Sequence, residues 1–157
     1  NNFEEYKLKD WKNTFEVNLL APFYLSQIFS KFLIKKKIKG SIVNMTSIGA
    51  ELAFPGNPAY QSSKAGLKHL TKSMAYDLAK YKIRVNNLVP GYTKFGMNKK
   101  SWANLKLRKA RSKRSLLNRW AEPKEIYNGI LYLIDENSGF VTGTDLIIDG
   151  GWTTKGL

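Results

Sequence analysis

A tyrosine and a lysine stand four residues apart in the segment Tyr60-Gln61-Ser62-Ser63-Lys64. Helix-forming residues follow, so the pair is predicted to lie near a helix N-terminus. Residues at i and i+4 share a helix face, which lets the lysine ammonium approach the phenol oxygen. A free tyrosine has a pKa of about 10, and proton transfer near neutrality requires a shift of about three units, or ~4 kcal/mol. One cation about 4 Å away at an effective dielectric constant near 20 supplies that energy, so the spacing suits a tyrosine acid/base.

Short apolar runs that read as buried strands end next to polar or glycine residues. The run Ser41–Met45 is followed by Ser47, and the run Ile83–Val89 by the pair Pro90-Gly91. A third run, Asp145–Ile148, precedes a glycine turn. Ligand sites of open α/β sheets gather at the carboxyl ends of the strands, so Ser47 is expected to face a ligand there.

Helical patterns alternate with these runs. Apolar residues recur at helical spacing from about Lys9 to Lys35, with an irregularity near Pro22. A second helix carries Tyr60. A third is predicted from about Ala121 to Ile134, with a proline in its first turn, where proline is tolerated. Strands that alternate with helices predict βαβ units and a parallel sheet.

Taken together, these features resemble the short-chain dehydrogenase/reductase family over nearly the whole chain, from about Leu8 to Trp152. The resemblance implies an α/β fold, part of a Rossmann-like doubly wound parallel sheet with flanking helices. It also implies an oxidoreductase that uses NAD or NADP to interconvert a carbonyl and a secondary alcohol by hydride transfer. The features that carry it are Asn18 in a long helix, Ser47 after a strand, the pair Tyr60 and Lys64, the Pro90-Gly91 turn and the Asp149-Gly150-Gly151 ending.

The resemblance implies catalytic roles for four residues. Tyr60 is the expected general acid in reduction and general base in oxidation. Lys64 is expected to favour the phenolate and to hydrogen-bond the nicotinamide ribose. Ser47 is expected to donate a hydrogen bond to the substrate oxygen, and Asn18 to hold a water for proton relay behind the lysine. Taken alone, Ser47 could cap a loop, and Asn18 could be a solvated helix residue or mark a local kink.

The segment Pro90-Gly91-Tyr92-Thr93 resembles the turn whose backbone meets the nicotinamide amide. The family often has an aliphatic residue where Thr93 stands and a threonine where this chain has Phe95. Backbone contacts at position 93 would survive that change, although a plain turn after a strand is the alternative. The candidate cofactor-binding residues are therefore Tyr60, Lys64, Pro90, Gly91 and Thr93.

The family's glycine-rich turn, which holds the cofactor pyrophosphate, has no counterpart in this sequence. No G-x-G-x-x-G or similar spacing occurs, and the chain starts at Asn1 without an initiator Met. We therefore expect residues 1–157 to be the C-terminal portion of a single Rossmann-like dehydrogenase domain, with a substrate-binding segment at about 92–119, and little catalysis from these residues alone. The choice between NAD and NADP is made in the missing part of such a domain, so neither this choice nor the substrate is predicted.

Composition narrows the remaining kinds of site. The chain has no cysteine and a single histidine, His69, which excludes disulfides, thiolate catalysis and a histidine-rich metal site, and we expect no bound metal. The longest apolar stretch, Leu19–Phe29, is too short and too interrupted to span a bilayer. A reducing cytoplasm is compatible with the lack of cysteine, and we expect a cytoplasmic protein without a membrane partner.

Charge is the second distinctive property of the chain. The net charge is +14, and 13 Lys or Arg but no Asp or Glu lie between residues 78 and 121. Eight of these cations crowd positions 99–114, within the segment expected to bind the substrate. Such a patch attracts anions, which suggests an anionic substrate such as a nucleotide-linked sugar, a phosphorylated compound or a carrier-linked acyl group. The alternative is a lysine-rich composition with merely solvated faces.

Two other functional classes stay open at this point. A nucleic-acid-binding module would use the basic segment, but the sequence has no recognised binding motif, zinc spacing or aromatic platform, so we expect no nucleic-acid partner. A non-catalytic fragment would act only through oligomer contacts. The absent glycine-rich turn favours this class, and the intact candidate site opposes it. The family resemblance implies homodimers or homotetramers built from the helices that carry Asn18 and Tyr60.

Overall fold

The structure is a computed structural model that describes residues 3–155, without the side chain of Met97. Residues 1, 2, 156 and 157 of the expected domain lie outside the described residues. The α-helices are α1 (Leu8–Phe15), α2 (Ala21–Lys36), α3 (Pro58–Leu78), α4 (Lys99–Ala103), α5 (Leu105–Arg114) and α6 (Pro123–Ile134), and the strands are β1 (Gly40–Met45), β2 (Ile83–Pro90) and β3 (Asp145–Ile148).

The strands form one parallel sheet in the order β1-β2-β3. In the register, Gly40 pairs with Ile83 at the start of β1, and Asn87 pairs with Asp145 at the start of β3. The central strand β2 is buried over nearly its whole length, which is typical of a parallel strand covered on both faces. The three predicted strands and the α/β class are therefore confirmed. The predicted helix that carries Tyr60 (α3) and the one that begins near Pro123 (α6) are confirmed as well.

Helices cover both faces of this sheet because neighbouring strand residues point in opposite directions. On one face, Ile42 and Val85 pack with Leu33 of α2 and Ala75 of α3. On the opposite face, a second cluster joins β2 and β3 to α6 through Leu88, Ile126, Leu133, Leu146 and Ile148. The alternation of Ile42 and Val43 between these two clusters shows that β1 contributes to both layers.

A chain of buried polar side chains ties α3 to all three strands. Thr71 of α3 accepts a hydrogen bond from Asn44 of β1 (2.8 Å) and donates to the side-chain oxygen of Asn87 in β2 (2.7 Å). Asn87 in turn donates to a carboxylate oxygen of Asp145 at the start of β3 (2.7 Å). The two bonds that join Thr71 to Asn44 and Asn87 are buried, so they are made away from water, where an unmade bond would be costly.

The long N-terminal helix is continuous but contains one wide turn. A π-helical turn, Glu16–Leu20, joins α1 to α2. Pro22 lies in the first turn of α2 and has no N–H to donate to the carbonyl of Asn18, four residues earlier. The helix widens at this point instead of ending. The irregularity predicted near Pro22 is thus confirmed, and it places Asn18 at the centre of the wide turn, a feature frequently found at functional sites.

The same helix is longer and more exposed than the apolar stretch Leu19–Phe29 suggested. Its 29 residues, Leu8–Lys36, are by length and composition alone enough to cross a bilayer, and 17% of the most apolar part is buried. Three of its residues, Ser26, Ser30 and Leu33, are buried against the rest of the fold. An amphipathic helix that packs on protein satisfies the same two criteria, so the absence of a membrane partner stays a prediction.

Helix α6 begins with a bidentate ion pair that should make stability depend on pH. Arg119 donates to both carboxylate oxygens of Glu125 (2.7 Å each), and the Glu122 N–H donates to one of them (2.8 Å). Hydrogen bonding from Arg119 is the largest cause, followed by the bond from the Glu122 N–H, and together they lower the pKa of Glu125 from 4.5 to about 2. A carboxyl whose pKa is lowered on folding stabilises the fold at pH values above its unfolded pKa.

We predict that the stability contributed by Glu125 is present above pH 4.5 and is lost as the pH falls from there towards 2. Urea denaturation of wild type and Glu125→Gln across that range should show a shallower fall in stability for the variant. Glu136→Gln, which removes an exposed carboxylate 3.1 Å from the Lys39 ammonium, serves as the control and should follow wild type. Identical pH profiles for wild type and Glu125→Gln would contradict the prediction.

Candidate active site

Tyr60 and Lys64 lie in the first two turns of α3. Pro58 occupies the start of the helix, where its missing N–H costs nothing, so the position of the pair near a helix N-terminus is confirmed. The Lys64 ammonium donates a hydrogen bond to the carbonyl of Met45, at the end of β1, over 2.9 Å. The same nitrogen lies 5.9 Å from the centre of the Tyr60 ring. The lysine therefore links the helix to the sheet edge beside the tyrosine.

Burial lowers the pKa of the Lys64 ammonium from its ordinary value of 10.5. The cause is desolvation, since the side chain lies half-buried between α3 and the end of β1. The same loss of water reduces the local dielectric constant, so the ammonium acts more strongly on charge that develops nearby. The position of the lysine thus strengthens its electrostatic effect on Tyr60.

Ser47 lies two residues beyond β1 and opposite Tyr60. Its hydroxyl oxygen accepts a hydrogen bond from the Gly49 N–H over 3.0 Å, so the serine does cap the short 3-10 turn Ile48–Ala50. A methyl group added at Gly49 would lie 3.4 Å from both the Ser47 Oγ and the Cε1 atom of Tyr60. The two side chains therefore flank the same glycine. Because a hydroxyl donates and accepts at once, the cap leaves the Ser47 O–H free to donate to a ligand.

Asn18 is connected to the tyrosine through α3. Its Nδ2 donates to the hydroxyl of Ser63 (3.1 Å), and Ser63 donates to the backbone carbonyl of Tyr60 (2.8 Å). The wide turn of the N-terminal helix thus holds the first turn of α3 by a side-chain contact. A water bound by Asn18 stays a prediction.

Gln61 fixes the loop in front of the tyrosine, a role that the sequence analysis did not assign. Its side-chain amide accepts from the Phe54 N–H (2.9 Å) and donates to the carbonyls of Phe54 (2.6 Å) and Asn57 (3.1 Å). The Gly- and Pro-containing loop before α3 is therefore closed onto the helix that carries Tyr60. The signal in the sequence was weak, because a glutamine between Tyr and Ser has no distinctive spacing.

The turn after β2 passes very close to the end of β3. The Gly91 N–H donates to the carbonyl of Ile148 (2.9 Å), and Thr93 Oγ1 donates to the carbonyl of Gly91 (3.2 Å). The carbonyl of Thr93 accepts from the side-chain amide of Asn98 (3.1 Å). The threonine hydroxyl is thus engaged within the turn, and the backbone of the segment borders the open space in front of it.

One cavity of about 710 Å³ brings the predicted site residues together. Its wall contains Met45 at the end of β1, Ile48 in the turn that follows, Phe95 and Asn98 from the segment after β2, and Ile126 from α6. Among the described residues, two cationic side chains and no carboxylate line it. All seven candidate residues border this cavity: Asn18, Ser47, Tyr60, Lys64, Pro90, Gly91 and Thr93.

The basic cluster 99–114 divides into solvated and packed side chains. Its lysines are exposed, which agrees with the interpretation of a solvated face. Its arginines instead stack on aromatic rings: Arg108 on Trp102 at 4.7 Å, Arg111 on Tyr92 at 4.6 Å and Arg114 on Trp152 at 5.3 Å. Of the cluster, only Arg111 is among the described residues that line the cavity. The spacing of arginines every third residue was a signal for the three arginines as a set, and it does not single out Arg111.

Comparison with known proteins gives a consistent set of relatives. A family profile described as enoyl-(acyl carrier protein) reductase matches residues 1–153. The NADH-dependent L-xylulose reductase of Ambrosiozyma monospora is 41% identical over 96% of this chain and 57% of its own length. The structure is similar to 4-hydroxyisoleucine dehydrogenase complexed with NADH, with a TM-score of 0.96, 36% identity and coverage of 99% of this chain and 64% of that one.

A second solved structure agrees. Gluconate 5-dehydrogenase from Burkholderia cenocepacia, in complex with NADP and tartrate, has a TM-score of 0.95 and 30% identity, and covers 99% of this chain. The match covers 61% of that chain. The present chain therefore spans little more than half the length of the relatives it matches.

The close approach of the Pro90-Gly91 turn to β3 predicts that a side chain at Gly91 is not tolerated. A Cβ atom there would lie 2.8 Å from the Cα and 2.9 Å from the Cβ of Asp149, and backbone cannot move aside as a flexible side chain can. Gly91→Ala should lower the free energy of unfolding by about 1–3 kcal/mol, measured by chemical denaturation.

Gly66→Ala in α3 is the matched control. Its methyl group would meet only the flexible side chain of Leu19, at 3.2 Å, and alanine favours the helix, so this variant should be at least as stable as wild type. A Gly91→Ala protein with wild-type stability would contradict the account of the turn.

Proposed function

Because the chain belongs to the short-chain dehydrogenase/reductase family, we propose that the whole protein is an NAD(P)-dependent oxidoreductase that interconverts a carbonyl and a secondary alcohol. The observation that carries the proposal is the convergence of Ser47, Tyr60 and Lys64 on one cavity bordered by the Pro90–Thr93 turn. The names of the relatives, an L-xylulose reductase and a gluconate 5-dehydrogenase, support a sugar, polyol or sugar acid as the substrate class.

The donors at the cavity fit the nicotinamide end of NAD or NADP. The Lys64 ammonium has three N–H donors and uses one on the Met45 carbonyl, which leaves two for the hydroxyls of a ribose. The turn from Pro90 to Thr93 offers backbone groups on the opposite wall. When bound, the nicotinamide supplies or accepts the hydride. The residues of this chain account for the binding of the nicotinamide end of the cofactor, and not for the binding of the rest.

Tyr60 moves the proton that balances the hydride. In reduction, the carbonyl oxygen becomes an alkoxide as the hydride reaches its carbon, and the phenol O–H gives it a proton. In oxidation, the phenolate removes the proton of the alcohol. The half-buried ammonium of Lys64 stabilises the phenolate that either direction requires.

Ser47 and Asn18 hold the reactants in position. The free O–H of Ser47, opposite Tyr60 across Gly49, donates to the substrate oxygen and polarises the carbonyl. Asn18, which borders the cavity and is bonded to Ser63, holds a water that resupplies the proton. We also propose a cytoplasmic location, which the lack of cysteine permits, and a homodimer or homotetramer, as the family resemblance implies.

Replacing Tyr60 by Phe should lower kcat by about 10²- to 10⁴-fold, the usual contribution of a positioned acid/base. The dissociation constants of NADH and NADPH should stay within about twofold, because the ring is kept and the loss concerns the proton step. The measurement is steady-state reduction of L-xylulose and oxidation of gluconate by the whole protein, with cofactor binding followed by fluorescence.

Tyr76→Phe is the control, since Tyr76 is a tyrosine of the same helix that is 87% exposed, and its kinetics should match wild type. Turnover at the wild-type rate in Tyr60→Phe would reject the mechanism. Loss of turnover in both variants would mean that phenylalanine disturbs α3 itself.

A further inference from the structure

Arg111 of α5 carries a buried donor that no described residue pairs with. Its guanidinium lies 4.6 Å from the centre of the Tyr92 ring and borders the same cavity as Tyr60 and Ser47. Within the described part of the chain, its Nη1 atom is buried and has no hydrogen-bond partner. Buried polar atoms are nearly always bonded in folded proteins, and an unpaired donor on a cation is among the most costly exceptions.

Packing on an aromatic ring does not by itself explain why Arg111 borders the cavity, because its two neighbouring arginines pack on rings elsewhere. Arg108 and Arg114 also lie over aromatic rings, at 4.7 Å from Trp102 and 5.3 Å from Trp152, yet neither borders the cavity. The indole N–H of Trp152 is likewise buried without a partner among the described residues, but Trp152 does not line the cavity. Arg111 is therefore a cation that borders the cavity and has a buried Nη1 without a partner among the described residues.

The charge of the cavity points to the chemistry of the missing partner. Lys64 is the other cation in the described wall, and it already binds the Met45 carbonyl. Among the described residues, no Asp or Glu lines the cavity, so the described wall supplies no anion for Arg111. A ligand with its own negative charge would pair with both the charge and the N–H donors of the guanidinium, whereas a neutral ligand could satisfy only the donors.

The chemistry of a guanidinium and the names of the relatives together favour a carboxylate. The guanidinium of Arg111 lies over the Tyr92 ring, and a guanidinium binds a carboxylate or a phosphate through two parallel hydrogen bonds. The similar gluconate 5-dehydrogenase, solved in complex with NADP and tartrate, is named for a carboxylate substrate. This likeness favours the carboxylate.

We infer that Arg111 selects the substrate by binding a carboxylate, so that the enzyme acts on hydroxy acids and the corresponding oxo acids. The carboxylate lies on Arg111 while the reacting carbon lies between Ser47 and Tyr60. The inference rests on the proposed function and adds to it the substrate class and the residue that recognises this class.

The test compares an aldonate with the alditol of the same chain length, which differ in the carboxylate. In the whole protein, Arg111→Met should reduce the ratio of kcat/KM for the aldonate to kcat/KM for the alditol by about 10- to 150-fold. This is the range expected for hydrogen bonds to a charged group. Arg111→Lys, which keeps the charge, should recover part of the ratio. Arg108→Met removes a stacked arginine outside the cavity and should leave the ratio as in wild type.

A binding measurement separates this inference from the proposed function. Calorimetric titration with tartrate in the presence of NADH or NADPH should give a dissociation constant at least about tenfold weaker for Arg111→Met than for wild type and Arg108→Met. If no substrate is turned over, the proposed function fails, and the titration still decides the role of Arg111.

Three results would overturn the carboxylate assignment. An aldonate-to-alditol ratio that is the same in wild type and Arg111→Met is the first, and equal tartrate affinities in the two proteins are the second. The third is a sugar phosphate whose kcat/KM depends on Arg111 when that of the aldonate does not.

Discussion

The hydroxyl of Thr71 sets the rotation of the helix on which the site depends. It is fully buried and bonded to Asn44 of β1 and Asn87 of β2, and it stands seven residues, about two helical turns, after Lys64. Hydrogen bonds are directional, whereas the apolar contacts of α3 would tolerate some rotation. With Thr71 fixed between two strands, Tyr60 and Lys64 are presented to the sheet edge where Ser47 lies.

The pattern of burial along α3 explains how one helix can serve both the core and the site. Its buried residues recur every fourth position, at Ala59, Ser63, Leu67, Thr71 and Ala75, which forms one of the ridges that pack into grooves. The next ridge, one position later, carries Tyr60, Lys64 and Lys68. Desolvation opposes the charge of Lys68, but the carboxylates of Glu51 and Asp145 outweigh it and raise its pKa. The two lysines of this second ridge are thus held by polar contacts, Lys64 with the Met45 carbonyl and Lys68 with these two carboxylates.

The elements that local sequence controls were predictable. Residues a few positions apart determine the apolar runs of β1, β2 and β3, the Pro90-Gly91 turn and the start of α6. These features could therefore be predicted from the sequence. The pair Tyr60 and Lys64 was predictable for the same reason, because its spacing is that of a helix turn. The fold class then followed from the alternation of these elements.

Features that depend on residues far apart in the sequence could not be predicted from local patterns. The Thr71 network joins residues from four elements, and nothing local marks an asparagine as buried. The wide turn at Asn18 appeared only as an irregularity, since a missing N–H at Pro22 can end a helix, kink it or widen it. In the basic segment, the sequence could not separate Arg111 from its neighbours, because the rotation of α5 depends on contacts with residues from other parts of the chain, such as Trp152 and Gly150.

The anchorage of α5 has a consequence for how this protein could diversify. The end of the helix is anchored by Arg114, which lies over Trp152, and by the following Ser115, whose hydroxyl donates to the carbonyl of Gly150 (2.8 Å). These anchors do not involve Arg111. A lineage could therefore exchange one chemical preference for another through a single codon at position 111 while these anchors are inherited intact.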